Sequence, residues 1–235
     1  MKVFNNSLFG LLAGTESLIE DCVAYSNFLI GIIASPGSIV NKCAASYSTF
    51  TGFQLTSHCA VSDCLAMNNG TDGMVVSDGC TINKCVTSNN GGQGISVSAG
   101  SIVTKCSAYR NTDGFTCSES TISRCNASEN SRHGVTVSSS NSFVMGNTCQ
   151  GNGTGVSDGA GIRAIGSDTR IEKNNVIGND YGIEVTGSGG NLIICNSASG
   201  NATNYVIAAG NADAQKITFP SSGFVSTDPW ANFSF

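Results

Sequence analysis

Along most of the chain, short runs of three residues place an apolar residue on each side of a variable one, and each run follows a glycine. Examples are Ile95–Val97, Phe115–Cys117 and Val135–Val137. Alternation with a period of two is typical of a strand with one buried face. No stretch shows a convincing helical period. The pattern therefore predicts an all-β protein with two or three short strands per repeat, separated by turns rich in Gly, Asn, Ser and Asp.

These runs recur about every 21 residues, and the same residue types return at fixed positions, which we call columns. The Ile/Val column contains Ile19, Val40, Val61, Ile82, Val103, Ile122, Val144, Ile171 and Ile193. The Cys/Asn column contains Cys22, Cys43, Cys64, Cys85, Cys106, Cys125, Asn147, Asn174 and Asn196. The Asn column contains Asn27, Ser48, Asn69, Asn90, Asn111, Asn130, Asn152, Asn179 and Asn201. The Gly column contains Gly10, Gly31, Gly52, Gly73, Gly94, Gly114, Gly134, Gly161 and Gly182. Repeats of this length and type indicate a β-solenoid.

In a solenoid, each column becomes a stack along the axis, with neighbouring coils about 4.8 Å apart. We expect about nine coils, with the Ile/Val column and the apolar strand positions lining a narrow core. Inward Asn side chains would pair with backbone groups and with each other, because unpaired buried amides are costly. The Gly column is expected to supply turns with positive φ.

The repeat resembles that of the right-handed parallel β-helix in the pectin-lyase-like superfamily. The matching segments read ISRCNASEN followed by HGVTV over 122–137, and IEKNNVIGN followed by YGIEV over 171–185. The resemblance covers about residues 1–209 and implies a single-stranded, right-handed parallel β-helix. It says little about activity, because the superfamily includes lyases, hydrolases, epimerases, phage tailspikes and non-catalytic surface proteins.

The two ends lead to further expectations. Gly10 keeps the register of the Gly column, so we interpret the first residues as part of a coil and not as a signal peptide. An uncapped N-terminal end would expose strand edges that another protein chain or a second copy would cover. Residues 210–235 are predicted to form a capping tail through Phe224, Trp230, Phe233 and Phe235. The ending resembles that of predicted secreted bacterial β-helix proteins, which implies an extracellular or cell-surface location.

Composition and charge exclude several classes of protein. The 235 residues include 29 Gly and 3 Pro, 40% are hydrophobic and 11% are charged, and the net charge is −5. The hydrophobic content argues against disorder, and the composition fits neither a coiled coil nor collagen. The acidic balance argues against a nucleic-acid partner. No apolar run reaches 18 residues, so no spanning helix is predicted.

Eleven cysteines are distributed along the chain, and six of them share the inward Cys/Asn column. We interpret them mainly as small residues that fill the core. A disulfide between Cys59 and Cys80 remains an alternative. No Cys-x-x-Cys motif occurs and there are two His, so neither a metal site nor a cofactor is predicted.

Catalytic candidates come from a partial similarity to polygalacturonase motifs. The matching segments are Asn111-Thr112-Asp113-Gly114, Arg132-His133-Gly134 and Arg170-Ile171-Glu172-Lys173, while the paired aspartates of that family are missing. Inverting hydrolysis requires two carboxyl groups. The outward strand positions show no carboxylate cluster of the kind that pectate-lyase chemistry needs. The remaining candidates are Asp113, His133, Arg163 and Asp158. Asp113 and His133 are expected to be neighbours on adjacent coils.

The coil from Asn147 to Asn174 is longer than the others, with its excess near 153–160. This excess is expected to form an outward loop, which is either a binding loop or a neutral insertion.

Binding candidates come from the position before the Cys/Asn column, where Lys84, Lys105 and Arg124 follow one another. An anion such as an acidic glycan would relieve their mutual repulsion, although solvation alone also explains them. The leading hypothesis is a non-catalytic surface module that binds anionic polysaccharide or another protein. The alternatives are a pectin-lyase-like carbohydrate-active enzyme and a self-assembling fibre or tail module.

Overall fold

A computed structural model of the chain describes residues 1–153, 158–187, 189–218 and 226–235. The described residues form a parallel β-solenoid of about ten turns, close to the nine expected, in which each turn contributes one strand to each of three sheets. All strand pairs are parallel, and the register joins residues one repeat apart, such as Ile95 with Phe115. Phe224 and residues 154–157 of the insertion lie outside the described residues.

The three sheets are named in the order in which the chain visits them. Sheet A contains Lys2–Phe4, Val23–Tyr25, Ala44–Ser46, Leu65–Met67, Val86–Ser88, Ser107–Tyr109, Asn126–Ser128, Thr148–Gln150, Asn175–Ile177, Ser197–Ser199, Asn232–Ser234 and Lys216–Thr218. Sheet B contains Leu11–Ala13, Ile32–Ala34, Phe53–Leu55, Met74–Val76, Ile95–Val97, Phe115–Cys117, Val135–Val137, Ala160–Ala164, Tyr181–Val185 and Thr203–Ile207. Sheet C contains Leu18–Glu20, Ile39–Asn41, Ala60–Ser62, Thr81–Asn83, Ile102–Thr104, Thr121–Ser123, Phe143–Met145, Arg170–Glu172, Leu192–Ile194 and Ala212–Asp213. We call the connections the A–B, B–C and C–A turns.

The predicted core columns are buried. The Ile/Val column contributes the central residue of the first nine strands of sheet C, and all nine of its members are at most 4% exposed. The inward positions of sheet B, such as Phe53, Phe115 and Ile162, are fully buried. Cys117 takes the place that Val97 and Val137 occupy on the neighbouring coils. The core is therefore a narrow column of apolar side chains that runs along the solenoid axis.

The inward Asn side chains form hydrogen-bonded ladders. From Asn69 onward, each side-chain Nδ2 of the Asn column donates to Oδ1 of the next Asn, as in the 2.9 Å bond from Asn90 to Asn111. A second ladder runs through Asn147, Asn174 and Asn196 and continues to Asn232 in the C-terminal segment. Asn232 was not predicted as a member, because it lies 36 residues after Asn196 and thus outside the repeat spacing.

The cysteines of the Cys/Asn column accept backbone hydrogen bonds, as the asparagines of that column do. The Cys43 backbone N–H donates to Cys64 Sγ, and the Cys85 N–H donates to Cys106 Sγ. At the change of residue type, the Cys125 N–H donates to Asn147 Oδ1 at 2.8 Å. The column therefore satisfies a buried backbone donor, which a purely apolar filler could not do. Cys59 and Cys80 are free thiols, and the Cys59 N–H likewise donates to Cys80 Sγ.

The expected positive φ of the Gly column is wrong. None of its nine glycines has positive φ. Instead, a Cβ atom on Gly94 would lie 2.5 Å from the Gly114 carbonyl oxygen and 2.9 Å from Asn111 Nδ2. Glycine is required there because the backbone of the next coil and the Asn ladder approach too closely for a side chain. The positive φ angles lie partly at the position before the Cys/Asn column, for example in Lys84 and Lys105.

One break in the Asn ladder yields a stability prediction. Ser48 interrupts the Asn column, and the buried Asn27 Nδ2 and Ser48 Oγ make no hydrogen bond within the described residues. We expect Ser48→Asn to raise the free energy of unfolding by about 1 kcal/mol, because it restores partners for these buried groups. The melting temperature would rise by about 3 °C for a chain of this size. Ser48→Ala, which cannot complete the ladder, is the control. Equal melting temperatures for Ser48→Asn and Ser48→Ala would contradict this explanation.

Candidate functional site

The clearest polar cluster lies along the A–B turns and the adjoining outward face of sheet B. It joins side chains from four consecutive coils. We call it the His133 cluster, and its members are Asp113, Arg132, His133, Asp158, Arg163 and Glu184. The four catalytic candidates from the sequence all belong to it. Arg132 and Glu184 were not among those candidates.

Asp113 anchors one side of the cluster. Its carboxylate is 1% exposed and accepts hydrogen bonds from Arg132 Nε at 2.8 Å and from Arg132 Nη2. The backbone N–H of His133 also donates to Asp113 Oδ1, at 3.1 Å. Three donors thus compensate a buried charge that would be costly alone. The expected neighbourhood of Asp113 and His133 is observed, and the contact uses the main chain of His133.

The geometry around His133 fixes where its proton lies. His133 is 2% exposed, and the Ala160 backbone N–H donates to its Nδ1 at 3.0 Å. Because a backbone N–H can only donate, Nδ1 must be unprotonated, and the neutral imidazole carries its proton on Nε2. Arg163 Nη1 lies 3.1 Å from this Nε2. A guanidinium has donors and no acceptor, so two hydrogen-bond donors face each other.

We call these two groups, His133 Nε2–H and Arg163 Nη1, the donor pair. Within the described residues, Nε2 makes no hydrogen bond to an acceptor. Arg163 Nη1 lies 3.6 Å from Asp158 Oδ1, beyond hydrogen-bond distance. An oxygen atom beside the pair, at hydrogen-bond distance from each nitrogen, would accept from both. The arrangement is therefore suited to binding an anionic oxygen.

Glu184 forms an ion pair with Arg163 on the side of the guanidinium that carries Nε. The two residues occupy the same outward column of sheet B on adjacent coils, and Arg163 Nε lies 3.3 Å from Glu184 Oε2. Both atoms are buried, and neither completes a hydrogen bond within the described residues. The preceding coils place Thr116 and Thr136 in the same column. Because the column is known from the repeat, the pairing of Arg163 with Glu184 could have been found from the sequence.

The environment keeps His133 neutral. Burial lowers its pKa below the ordinary value of 6.5. Asp113 opposes this shift, while Arg163 and Arg132 lower the pKa further. Protonation would also remove the acceptor used by the Ala160 N–H. At neutral pH the side chain is therefore a hydrogen-bond donor through Nε2.

The lowered pKa predicts how stability depends on pH. An unfolded chain binds a proton on this histidine below about pH 6.5, whereas the folded chain resists it. The contribution of His133 to stability is complete above pH 6.5 and is lost as the pH falls below it. We expect the melting temperature of the wild type to fall more between pH 7 and pH 5 than that of His133→Asn. Asn retains an acceptor for the Ala160 N–H but does not titrate. Parallel curves for the two proteins would contradict the assignment.

The binding candidates lie at a separate edge. Lys84, Lys105 and Arg124 occupy consecutive C–A turns and are exposed. We call them the basic ladder. Within the described residues, their side chains form no ion pair or hydrogen bond. The structure therefore brings the three cations into one row, as their sequence column predicts, and keeps them apart from the His133 cluster.

The described residues contain neither a cluster of metal-ligating side chains nor a helix that could span a bilayer. No group of three or more His, Cys, Asp or Glu side chains is arranged so that it could hold a metal ion. No helix in this part of the chain has the length and hydropathy needed to span a bilayer.

Comparison with known proteins places the fold. Residues 2–104 match the sequence model of a family described as right handed beta helix region. A search of curated protein sequences finds no match to the chain. The chain has the right-handed parallel β-helix fold, on which the family match, the solenoid geometry and the solved structures below agree.

Several solved structures share this fold. The A-module of mannuronan C-5 epimerase AlgE6 from Azotobacter vinelandii superposes with a TM-score of 0.75 at 16% identity. That match covers 85% of this chain and 63% of the A-module, so the chain spans less than two thirds of it. A mutant of the periplasmic alginate epimerase AlgG gives 0.66 at 12% identity, covering 86% and 71% of the two chains. Pectate lyase Pel9A gives 0.61 at 14% identity, covering 89% and 62%. At these identities the likeness establishes the fold.

Proposed function

We propose that this protein binds an anionic polysaccharide and that the donor pair holds a carboxylate of a uronate unit. The observation that carries the proposal is the convergence of His133 Nε2–H and Arg163 Nη1, which share no acceptor within hydrogen-bond distance among the described residues. A carboxylate oxygen accepts from both donors, and the bond from the guanidinium is charge-assisted. The names of three structural neighbours point to similar polymers, since mannuronan, alginate and pectate are all polyuronates. We further propose an extracellular or cell-surface location for the full-length protein.

The basic ladder is proposed as a second contact with the same class of polymer. Its three cations lie on adjacent coils, about 4.8 Å apart along the axis. Like charges at this spacing repel one another modestly, and a polyanion lying across them removes that repulsion. Because the ladder is exposed, this contact should weaken strongly with salt. We expect Lys105→Ala to reduce the salt dependence of binding and to leave the donor pair unaffected.

The test of the proposal is a binding titration with mannuronan and polygalacturonate. The matched ligands are the same polymers after reduction of their carboxyl groups to alcohols. We expect binding to the acidic polymers only. Arg163→Met, which keeps the length of the side chain and removes its donors, should weaken binding about tenfold or more. Arg170→Met is the matched control, because Arg170 is partly exposed and paired with Glu172 on sheet C, away from the A–B turns and the donor pair.

Two results would overturn the proposal. One is equal binding of the acidic and the reduced polymers, since that would remove the role of the carboxylates. The other is an equal loss for Arg163→Met and Arg170→Met, since that would make net charge the cause. Far-ultraviolet circular dichroism of each variant shows whether the solenoid is intact.

A carbohydrate-active enzyme is the second candidate function. The observation that favours it is Asp158, whose carboxylate is 60% exposed and lies 3.6 Å from Arg163 Nη1. A uronate held by the donor pair has its carboxylate charge neutralised, which makes the adjacent C–H more acidic. An exposed carboxylate beside it is placed to take that proton. His133 would then bind the sugar, and the buried Asp113 would hold Arg132 and the main chain of His133 in place.

Product analysis decides between binding and catalysis. The acidic polymers are incubated with the protein and examined for new double bonds, new reducing ends and changed sugar stereochemistry. For an enzyme, we expect Asp158→Asn to lower the rate at least a hundredfold while binding persists. The absence of all three products at high protein concentration would favour the non-catalytic function.

A further inference from the structure

Four exposed aromatic side chains lie in or beside the A–B turns of the second and third coils. They are Tyr25, Phe28, Tyr47 and Phe50, which are 47%, 59%, 52% and 46% exposed. We call this surface the aromatic edge. The rings of Tyr25 and Tyr47 pack with their centroids 5.2 Å apart. Exposed apolar side chains grouped in this way are typical of binding sites on soluble proteins.

The backbone conformation at Tyr47 is one that a bulky side chain does not favour. Tyr47 has a φ of +56°, a left-handed conformation that disfavours bulky residues. The same position on the next two coils is Asn68 and then Asn89, which tolerate this conformation better. Tyr47 is the only Phe, Tyr or Trp among the described non-glycine residues with positive φ. An exposed ring at an unfavourable backbone position is better explained by binding than by stability.

The surroundings of the rings match the chemistry of a sugar. An open cavity of about 400 Å³ lies beside Phe28 and Tyr47 and is also lined by polar side chains, including Asn5, Asn6 and Thr49. A pyranose ring has apolar C–H faces and hydroxyl groups around its rim. Aromatic rings pack against the apolar C–H faces, while amide and hydroxyl side chains form hydrogen bonds with the sugar hydroxyl groups. The cavity contains no charged side chain, so it suits the ring of a sugar better than its carboxylate.

The aromatic edge and the donor pair lie on the same side of the solenoid. Tyr47 and His133 both lie in A–B turns. The register of sheet A places these two turns four coils apart. Four coils correspond to a separation of about 19 Å along the axis. The A–B turns between them carry small residues such as Gly70, Gly91 and Gly92. A linear polymer can therefore run along this edge and contact both places.

We propose that the aromatic edge binds sugar rings of the same polysaccharide chain whose carboxylate the donor pair holds. The inference rests on the proposed function, because the donor pair supplies the anchor. Linking two weak contacts through one polymer raises the effective concentration for the second contact. Long chains should therefore bind more tightly than fragments that reach only one of the two places.

The test replaces three of the four aromatic residues, each by the residue that its own column carries on the next coil. The variants are Tyr47→Asn, Phe28→Thr and Phe50→Thr, matching Asn68, Thr49 and Thr71. Ile102→Thr is the control, because Ile102 is an exposed apolar residue on sheet C with Thr81 and Thr121 beside it. Binding of long mannuronan and of a mannuronate trimer, which is too short to span both places, is measured by titration. Thermal unfolding is recorded for each variant.

We expect Tyr47→Asn to melt at or above the wild-type temperature and to bind long mannuronan roughly five- to tenfold more weakly. Trimer binding that depends on Arg163 should be unchanged in the aromatic variants. If the aromatic variants bind the polymer like the wild type while Arg163→Met binds it weakly, the inference is wrong and the proposed function stands. If Arg163→Met also binds normally, the proposed function fails. A loss in Ile102→Thr equal to that in Tyr47→Asn would likewise overturn the inference.

Discussion

Gly94→Ala is expected to lower the free energy of unfolding by about 3 kcal/mol. The added methyl group would lie 2.5 Å from the Gly114 carbonyl oxygen and 2.6 Å from Thr87 Oγ1. Both neighbours belong to packed coils, and the backbone oxygen cannot move without disturbing strand pairing. The close Asn111 Nδ2 would also be displaced from its ladder. Denaturant unfolding followed by circular dichroism measures the change.

Gly14→Ala is the matched control for this prediction. A Cβ atom on Gly14 would meet nothing within 4 Å, and the φ of Gly14 is not positive. Alanine there reduces the freedom of the unfolded chain, so stability should stay the same or rise by a few tenths of a kcal/mol. Similar losses for Gly14→Ala and Gly94→Ala would show that close coil packing is not the reason for the Gly column.

Asn147→Ala is expected to cost about 3 kcal/mol, and Asn147→Cys only about 1 kcal/mol. Asn147 Oδ1 accepts the Cys125 N–H at 2.8 Å, and Asn147 Nδ2 donates to the Ile122 carbonyl at 3.0 Å. Alanine leaves this buried donor and this buried acceptor without partners. A cysteine sulfur can still accept the backbone N–H, as Cys125 Sγ does for Cys106.

The order of the two Asn147 variants is the sensitive result, measured by denaturant unfolding under reducing conditions. Asn126→Ala provides the baseline, because Asn126 is exposed on the outer face of sheet A. Equal losses for alanine and cysteine would mean that the Cys/Asn column acts only by filling space. In that case the hydrogen bonds to sulfur would contribute nothing measurable.

Much of the fold could be predicted because every coil must bury the same kinds of side chain at the same positions. The Ile/Val column is buried throughout, and Cys117 takes the place of Val97 and Val137. A shift of one residue would turn every inward side chain outward, so the alternation fixes the register. The predicted reason for the Gly column, a positive φ, was wrong. A sequence shows where side chains are absent, but it does not show which neighbouring atoms leave no room for one. Asn232 was missed, since it enters the ladder from outside the repeat.

The candidate site could be predicted only in part. The turn before the Gly column was expected to bring Asp113 close to His133, and it does. Arg163 and Asp158 join them through the long coil, where the regular spacing fails. The partner of Asp113 is Arg132, which belongs to the segment Arg132-His133-Gly134 but had no predicted role there. Hydrogen bonds of this kind depend on side-chain rotamers, which a repeat does not specify.

The sequence by itself determined the architecture: a parallel β-solenoid with buried columns and a row of cations on one edge. It could do so because stacking identical coils requires the same kind of residue at the same place in each coil. Only the tertiary structure decided the state of His133. The Ala160 N–H, 27 residues away, occupies Nδ1 and directs the remaining proton toward Arg163. The physical reason is that hydrogen-bond direction depends on distances and angles between coils, and these exist only once the chain is wound.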